Sequence, residues 1–191
     1  MKQKNSKVPI NKTSSTEGSL QLLVSQKVID KAVRRLAAKI NRDYAGKSLL
    51  VIGILKGSFV FVADLIRHLK MPVQVDFVQC ASYGSGTDSC GKVKVSKRLI
   101  GSLEGREVLL VEDLVDTGLT VHYIMNYLKK KNPASLKLCI LADKPSRRKK
   151  PLSIDYLGFK VPDKFIVGYG IDWAEKYRNL PDIYFLEKEK E

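Results

Sequence analysis

The chain has 191 residues, and its 34 Lys and Arg against 20 Asp and Glu leave a formal net charge of +14. That length suits a single domain with a substantial core, and no apolar run approaches the ~20 residues of a membrane span. The charge fits a polyanionic ligand, whether a phosphorylated small molecule or a nucleic acid, and does not choose between them.

Met1–Ser19 is rich in Lys, Ser, Thr and Asn. It has no apolar stretch of the kind a secretory signal needs and no Arg of the kind an organelle peptide carries. It reads as a disordered basic tail on residues 1–19, which leaves 20–191 as one domain. Cys80, Cys90 and Cys139 are an odd number without a C-x-x-C pair. They argue against a disulfide framework or a zinc site and for a reducing, cytoplasmic compartment.

Gln26–Tyr44 carries Val28, Ile29, Ala32, Val33, Leu36, Ala37 and Ile40 at helical spacing, with Lys and Arg opposite, and Gly46 stops it. The Gly-Lys-Ser at 46–48 is not a phosphate loop, because position 41 is Asn and a strand follows it instead of preceding it. Ser48–Leu55 reads as a buried strand, followed by Lys56-Gly57-Ser58 and a helix from about Phe59 to Leu69. A lysine and a glycine between a strand end and a helix start make an anion site.

Val73–Ala81 is the next strand. The glycine-rich run from Ser82 to Gly91 is costly to order, so it reads as a mobile loop. Lys92–Leu99 alternates around Val93 and Val95 as a further strand.

Val108–Val111 is a short run apolar on both faces, as in a strand covered on both sides of a parallel sheet. Glu112 and Asp113 follow at once. Burying two adjacent unpartnered carboxylates is costly, so the strand is expected to end there, at a polar opening. Asp116, Thr117, Gly118, Leu119 and Thr120 then lead into a helix over Val121–Lys131. Free amides at a helix start, a flexible glycine and two hydroxyls suit a phosphate dianion. Carboxylates beside such a pocket make sense if they face sugar hydroxyls or a magnesium ion.

Asn132-Pro133 breaks that helix, and Ser135–Ala142 is another strand, with Asp143-Lys144-Pro145 at its C-terminal end. Ser146–Lys150, the densest basic run, reads as a solvated loop, with nucleic-acid contact as the alternative. Val161–Asp172 reads alone as a strand with a turn, and Glu187–Glu191 as a charged tail.

Val108–Thr120 resembles the phosphoribosyl pyrophosphate (PRPP) signature of the type I phosphoribosyltransferases. Its Asp-Thr-Gly is most similar to the hypoxanthine-guanine branch. The resemblance extends from about Gln21 to Glu187. It implies an α/β fold, a mostly parallel twisted sheet flanked by helices, with a small hood over the base site. It implies transfer of phosphoribosyl from PRPP to hypoxanthine or guanine, giving IMP or GMP and pyrophosphate, in a homodimer or homotetramer with Mg2+.

By the same resemblance Glu112 and Asp113 meet the ribose and the metal, and residues 116–120 hold the 5′-phosphate. Asp116 is the proton acceptor. Lys56, Gly57 and Arg178 take pyrophosphate, while Ser82 and Tyr83 begin a closing flap. Lys144 bonds the purine 6-oxo group, Phe165 stacks on the base, Ile166 offers backbone groups and Ile171 packs on the other face. Asp172 holds a second magnesium, partly through water. Leu119 stands where some relatives carry lysine. A nucleic-acid-binding regulator on the same fold is the competing reading, and no membrane partner or specific nucleic acid is expected.

Overall fold

Apolar runs covered on both faces form the centre of the molecule. The computed structural model describes residues 19–82, 93–97, 99 and 101–187. The elements run β1 (Ser19–Val24), α1 (Gln26–Asp43), β2 (Leu49–Leu55), α2 (Phe59–Ile66), β3 (Val73–Ser82) and β4 (Val93–Lys97). They continue with β5 (Glu107–Val115), α3 (Leu119–Lys129), β6 (Ser135–Asp143), a 3-10 turn at Pro145–Arg147, β7 (Tyr156–Lys160), β8 (Ile166–Val167) and β9 (Ile183–Glu187). The main sheet has the order β4-β3-β2-β5-β6-β7. Five of its strands are parallel, and β4 is an antiparallel edge.

Alternation along the strands divides the core between two layers. Val51 and Leu109 face α1 and α2, packing on Ile29, Val33, Leu36, Ile40, Phe61 and Leu65. Leu50, Ile52, Val108, Leu110, Leu138 and Ile140 face α3 and its Val121, Ile124 and Leu128. The basic face of α1 is not wholly solvated. Arg35 Nη2 donates to the carbonyl oxygen of Leu157 at 3.1 Å, and Lys39 Nζ to that of Asp155 at 2.8 Å.

The chain ends build the hood. Strands β1, β9 and β8 form a separate antiparallel sheet in that order. It is pinned to the core by Tyr169, whose hydroxyl donates to Asp64 Oδ2 at 2.6 Å, and by close approach of Gly170 to Gly57. Gly170 has φ +96°, and a Cβ there would collide with the Gly57 carbonyl.

The expected strand end before the acid pair is corrected. Strand β5 runs through Glu112 and Asp113 to Val115. It can do so because its two neighbours part company there. Pairing with β2 stops at Gly53↔Val111, whereas pairing with β6 continues to Val115↔Asp143. Strand β7, whose span joins the sheet beyond β6, and hood strands β1 and β9 were not anticipated. Helices α2 and α3 also end earlier than expected, at Ile66 and Lys129. The tail expectation on residues 1–18 falls outside the described residues, and Ser19 already belongs to β1.

Leu110 is fully buried at the centre of the α3-side layer. Replacing it with alanine is expected to cost about 2–5 kcal/mol of folding stability, read from the midpoint and slope of urea unfolding. A loss under about 1 kcal/mol would mean this layer closes over the gap.

Candidate active site

Chain direction reverses across the sheet between β2 and β5. From β2 the chain crosses outward through α2 to β3, and from β5 it crosses the other way through α3 to β6. Ligand crevices in open α/β sheets form at such a switch point, outside the C-terminal strand ends. Here the crevice is physical: beyond Gly53 and Val111 the two strands no longer pair.

The acid pair sits at that opening. Alternation also slips by one across it, since Leu114 packs towards α1 and α2 and Val115 towards α3. Asp113 is only 7% exposed, and its carboxylate lies where a Gly57 side chain would otherwise be. Glu112 Oε2 is sealed from solvent without a hydrogen-bond partner. Burial pushes the Glu112 carboxyl well above its ordinary range, and the neighbouring Asp113 charge adds to this. Burial raises Asp113 to about 6, opposed by backbone amides and by the Arg178 charge. The pair is thus desolvated and incompletely satisfied in the free chain.

Residues 116–118 turn from β5 into α3, with Gly118 at φ +81° as the helix N-cap residue. Thr117 Oγ1 accepts from the Leu119 amide at 3.4 Å. A Cβ at Gly118 would press within 3.0 Å of Arg148 Cδ and Leu152 Cδ1. Behind this loop lies the basic run, exposed as expected at every member but the half-buried Arg148, although both of its arginines form ion pairs. Arg148 forms an ion pair with buried Asp143, and Arg147 Nε lies 3.1 Å from Asp116 Oδ1 and its Nη1 3.8 Å from Asp163 Oδ1. The Lys149 amide donates to the Thr117 carbonyl at 2.9 Å. Lys149 and Lys150 are exposed.

Lys144 is 4% exposed at the end of β6, and its amide donates to the Val115 carbonyl at 2.9 Å. Desolvation lowers its pKa, against the pull of Asp116 and Asp163. Phe165, by contrast, is 52% exposed ahead of β8. Ile166 and Ile171 are buried, and Ile171 exchanges backbone hydrogen bonds with Gly168.

On the opposite side of the crevice, the Leu55–Lys56 peptide is cis. Lys56 Nζ is 2.9 Å from Glu175 Oε1. Arg178 donates to the Gly170 carbonyl at 2.8 Å and meets Asp172 Oδ1 at 2.8 Å. Asp172 Oδ2 accepts the Glu175 amide at 2.9 Å. Sequence reasoning missed Glu175, Arg147 and Asp163. The i,i+3 spacing of Glu175 and Arg178 was the one local signal for any of them. Ser82 closes β3, and Tyr83 lies outside the described residues.

Residues 21–173 match the family described as phosphoribosyl transferase domain. The chain is 47% identical over 169 residues to the hypoxanthine-guanine phosphoribosyltransferase of Aquifex aeolicus, covering 88% of this chain and 95% of that one. It is 44% identical to the enzyme of the same name from Bacillus subtilis, covering 87% and 93%. A crystal structure of a Bacillus anthracis hypoxanthine-guanine phosphoribosyltransferase is similar at a TM-score of 0.83 and 48% identity, covering 87% of this chain and 98% of that one.

The strain in the acid pair is measurable without any ligand. A carboxyl whose folded pKa lies above its unfolded value binds a proton more tightly when folded, so stability falls as pH rises. For Asp113 the loss runs from about pH 4 to about pH 6. Glu112→Gln and Asp113→Asn are therefore expected to raise the melting temperature at pH 8 relative to the parent chain, and to flatten its fall above pH 4. Calorimetry from pH 4 to pH 8 checks this; a lower melting temperature at pH 8 in both variants contradicts it.

Proposed function

The chain belongs to the phosphoribosyltransferase family, and from that premise we propose that it salvages purines, transferring 5-phosphoribosyl from PRPP to hypoxanthine or guanine. The products are IMP or GMP and pyrophosphate. The observation that carries the choice of base is Lys144, a nearly solvent-free ammonium at a strand end beside Asp116 and Asp163. Its carrier strand β6 adjoins β5, which bears the acid pair.

The proposed division of labour follows the crevice. The amides and hydroxyls of residues 116–120 hold the 5′-phosphate at the start of α3, where helix-end amides favour an anion. Leu119 contributes only its backbone. Glu112 and Asp113 orient the ribose hydroxyls and ease positive charge developing on the sugar as the bond to pyrophosphate lengthens. Lys56, the Gly57 backbone and the Arg178 fork receive the departing pyrophosphate. A hard cation such as Mg2+ fits this oxygen-only donor set, with Glu112 and Asp113 as its holders and Asp172 as a second holder partly through water. When bound, it supplies charge neutralisation at the pyrophosphate.

For the base, Phe165 offers an exposed ring for stacking, Ile166 a backbone edge and Ile171 an apolar face. Asp116 accepts the N7 proton as N9 attacks the sugar. Arg147, against Asp116, holds that carboxylate in place between substrates. A flap beginning at Ser82 and Tyr83 excludes water that would otherwise hydrolyse PRPP. Three cysteines without a C-x-x-C pair support a reducing, cytoplasmic setting. The nucleic-acid reading loses ground because two cations of the basic run are committed to Asp116 and Asp143.

Lys144 can donate but not accept, so it favours a 6-oxo group over a 6-amino group. Nucleotide formation from PRPP with hypoxanthine and guanine is expected, and adenine is expected to be poorer by ~10⁴-fold in kcat/KM. Comparable turnover of adenine refutes the assignment. Asp116→Asn keeps the shape but cannot take a proton. Its single-turnover rate is expected to fall by ~10²-fold, with PRPP affinity nearly unchanged. An intact chemical step with lost PRPP binding would instead make Asp116 a loop-shaping residue.

A further inference from the structure

The two cations assigned to pyrophosphate are bridged by a carboxylate that the assignment leaves unused. Glu175 Oε1 lies 2.9 Å from Lys56 Nζ, and Glu175 Oε2 lies 3.3 Å from Arg178 Nη2. Each oxygen meets one cation. The two cations come from different parts of the fold, one from the loop after β2 and one from the hairpin between β8 and β9. One small anion therefore spans the gap that a phosphate group would span.

The bridge is built to be held at the backbone and loose at the tip. The Glu175 amide donates to Asp172 Oδ2, and Trp173 and Lys176 exchange backbone hydrogen bonds at 3.2 and 3.0 Å. Ala174, Glu175 and Tyr177 all have positive φ, at 50°, 64° and 73°. Residues with side chains keep that left-handed conformation only when their surroundings impose it. The Trp173 and Tyr177 rings stack at 6.4 Å across the same hairpin.

The side chain of Glu175 is nevertheless 65% exposed, and that of Lys56 is 54% exposed. Swinging the carboxylate out into water costs little desolvation, and exposed ion pairs are weak. Arg178 would not follow, since its side chain is 19% exposed and is anchored independently by Asp172 Oδ1 and the Gly170 carbonyl. Arg178 is thus held in place without Glu175, whereas the exposed Glu175 carboxylate is free to leave.

We propose that Glu175 is an internal stand-in for pyrophosphate: it occupies the Lys56–Arg178 pair in the empty site, is displaced by the pyrophosphate of PRPP, and returns as the product leaves. This rests on the assignment of Lys56 and Arg178 to pyrophosphate. It gives the empty site a neutralised, preorganised pair of cations. It also sets a toll on entry, because an anion must outcompete a tethered carboxylate, and its apparent affinity falls by the fraction of sites left open. Pyrophosphate, with more charge and more oxygens than a carboxylate, displaces Glu175 more readily than a singly charged anion does. On the return step the same competition speeds release.

Titration of the full chain with magnesium pyrophosphate tests this, using calorimetry and the fluorescence of Trp173, the single tryptophan. Glu175→Gln and Glu175→Ala are expected to bind pyrophosphate more tightly by roughly three- to tenfold, the range two exposed ion pairs allow. KM for PRPP should fall by a similar factor, with KM for hypoxanthine unchanged, and the gain should shrink as salt rises. A merely structural Glu175 predicts the opposite, weaker binding of pyrophosphate. Unchanged or weaker binding in both variants, with binding lost in Arg178→Ala, overturns the stand-in and leaves the pyrophosphate site intact. Full affinity in Arg178→Ala overturns the site assignment, and the stand-in with it.

Discussion

Two desolvated carboxylates, Glu112 and Asp113, are the constraint that the rest of the structure accommodates. They lie inside a strand, at a point where only one neighbouring strand remains hydrogen-bonded. A fold selected for stability alone would place apolar residues there, because buried charge without partners is expensive. The core on either side of the sheet offsets that cost: both layers are filled by branched aliphatic side chains from the parallel strands and their covering helices. The site is therefore a local liability held in place by the core around it.

Around this acidic centre, other charged groups pair off in chains. Asp116 and Asp163 share Arg147, Asp143 takes Arg148, and Asp172 and Glu175 share Arg178, with Lys56 beyond. These links tie segments that are distant in sequence: the turn before α3 to the basic run, and the β2 loop to the hood. Most are partly exposed, so their worth is in positioning more than in folding energy. Arg148 and Asp143 are the exception, being shielded under the turn that carries Gly118. The large net positive charge is thus partly spent on arranging carboxylates near the crevice.

The glycines show the same economy of space. Gly57 has no side chain because the Asp113 carboxylate occupies that volume, and Gly170 has none because the Gly57 carbonyl does. One line of contact runs from the acid pair through the β2 loop to the hood. It brings the Arg178 hairpin within reach of Lys56. The hood itself has little core of its own, and it borrows one by adding Ile166, Tyr169, Ile171 and Ile183 to the α1–α2 layer.

Several features were legible in the sequence because they depend on local chemistry. The heptad-like spacing of Ile29 to Ile40 dictated α1, the apolar runs dictated β2, β5 and β6, and the Asp-Thr-Gly turn dictated the start of α3. Membership of the family was equally legible, since motif residues keep their order and spacing. What the sequence could not decide is where strands lose their partners. Whether β5 stops before or after Glu112 depends on β2 ending at Gly53 on one side while β6 continues on the other, a fact of register between segments far apart in the chain. Likewise the basic run gives no sequence sign of its ion pairs, and only tertiary structure sets Arg147 beside Asp116. Hood strand β8, with two residues, is too short for periodicity to register, and β1 and β9 were left unread at the two ends of the domain. Their pairing comes from the two chain ends meeting, which tertiary structure alone brings about.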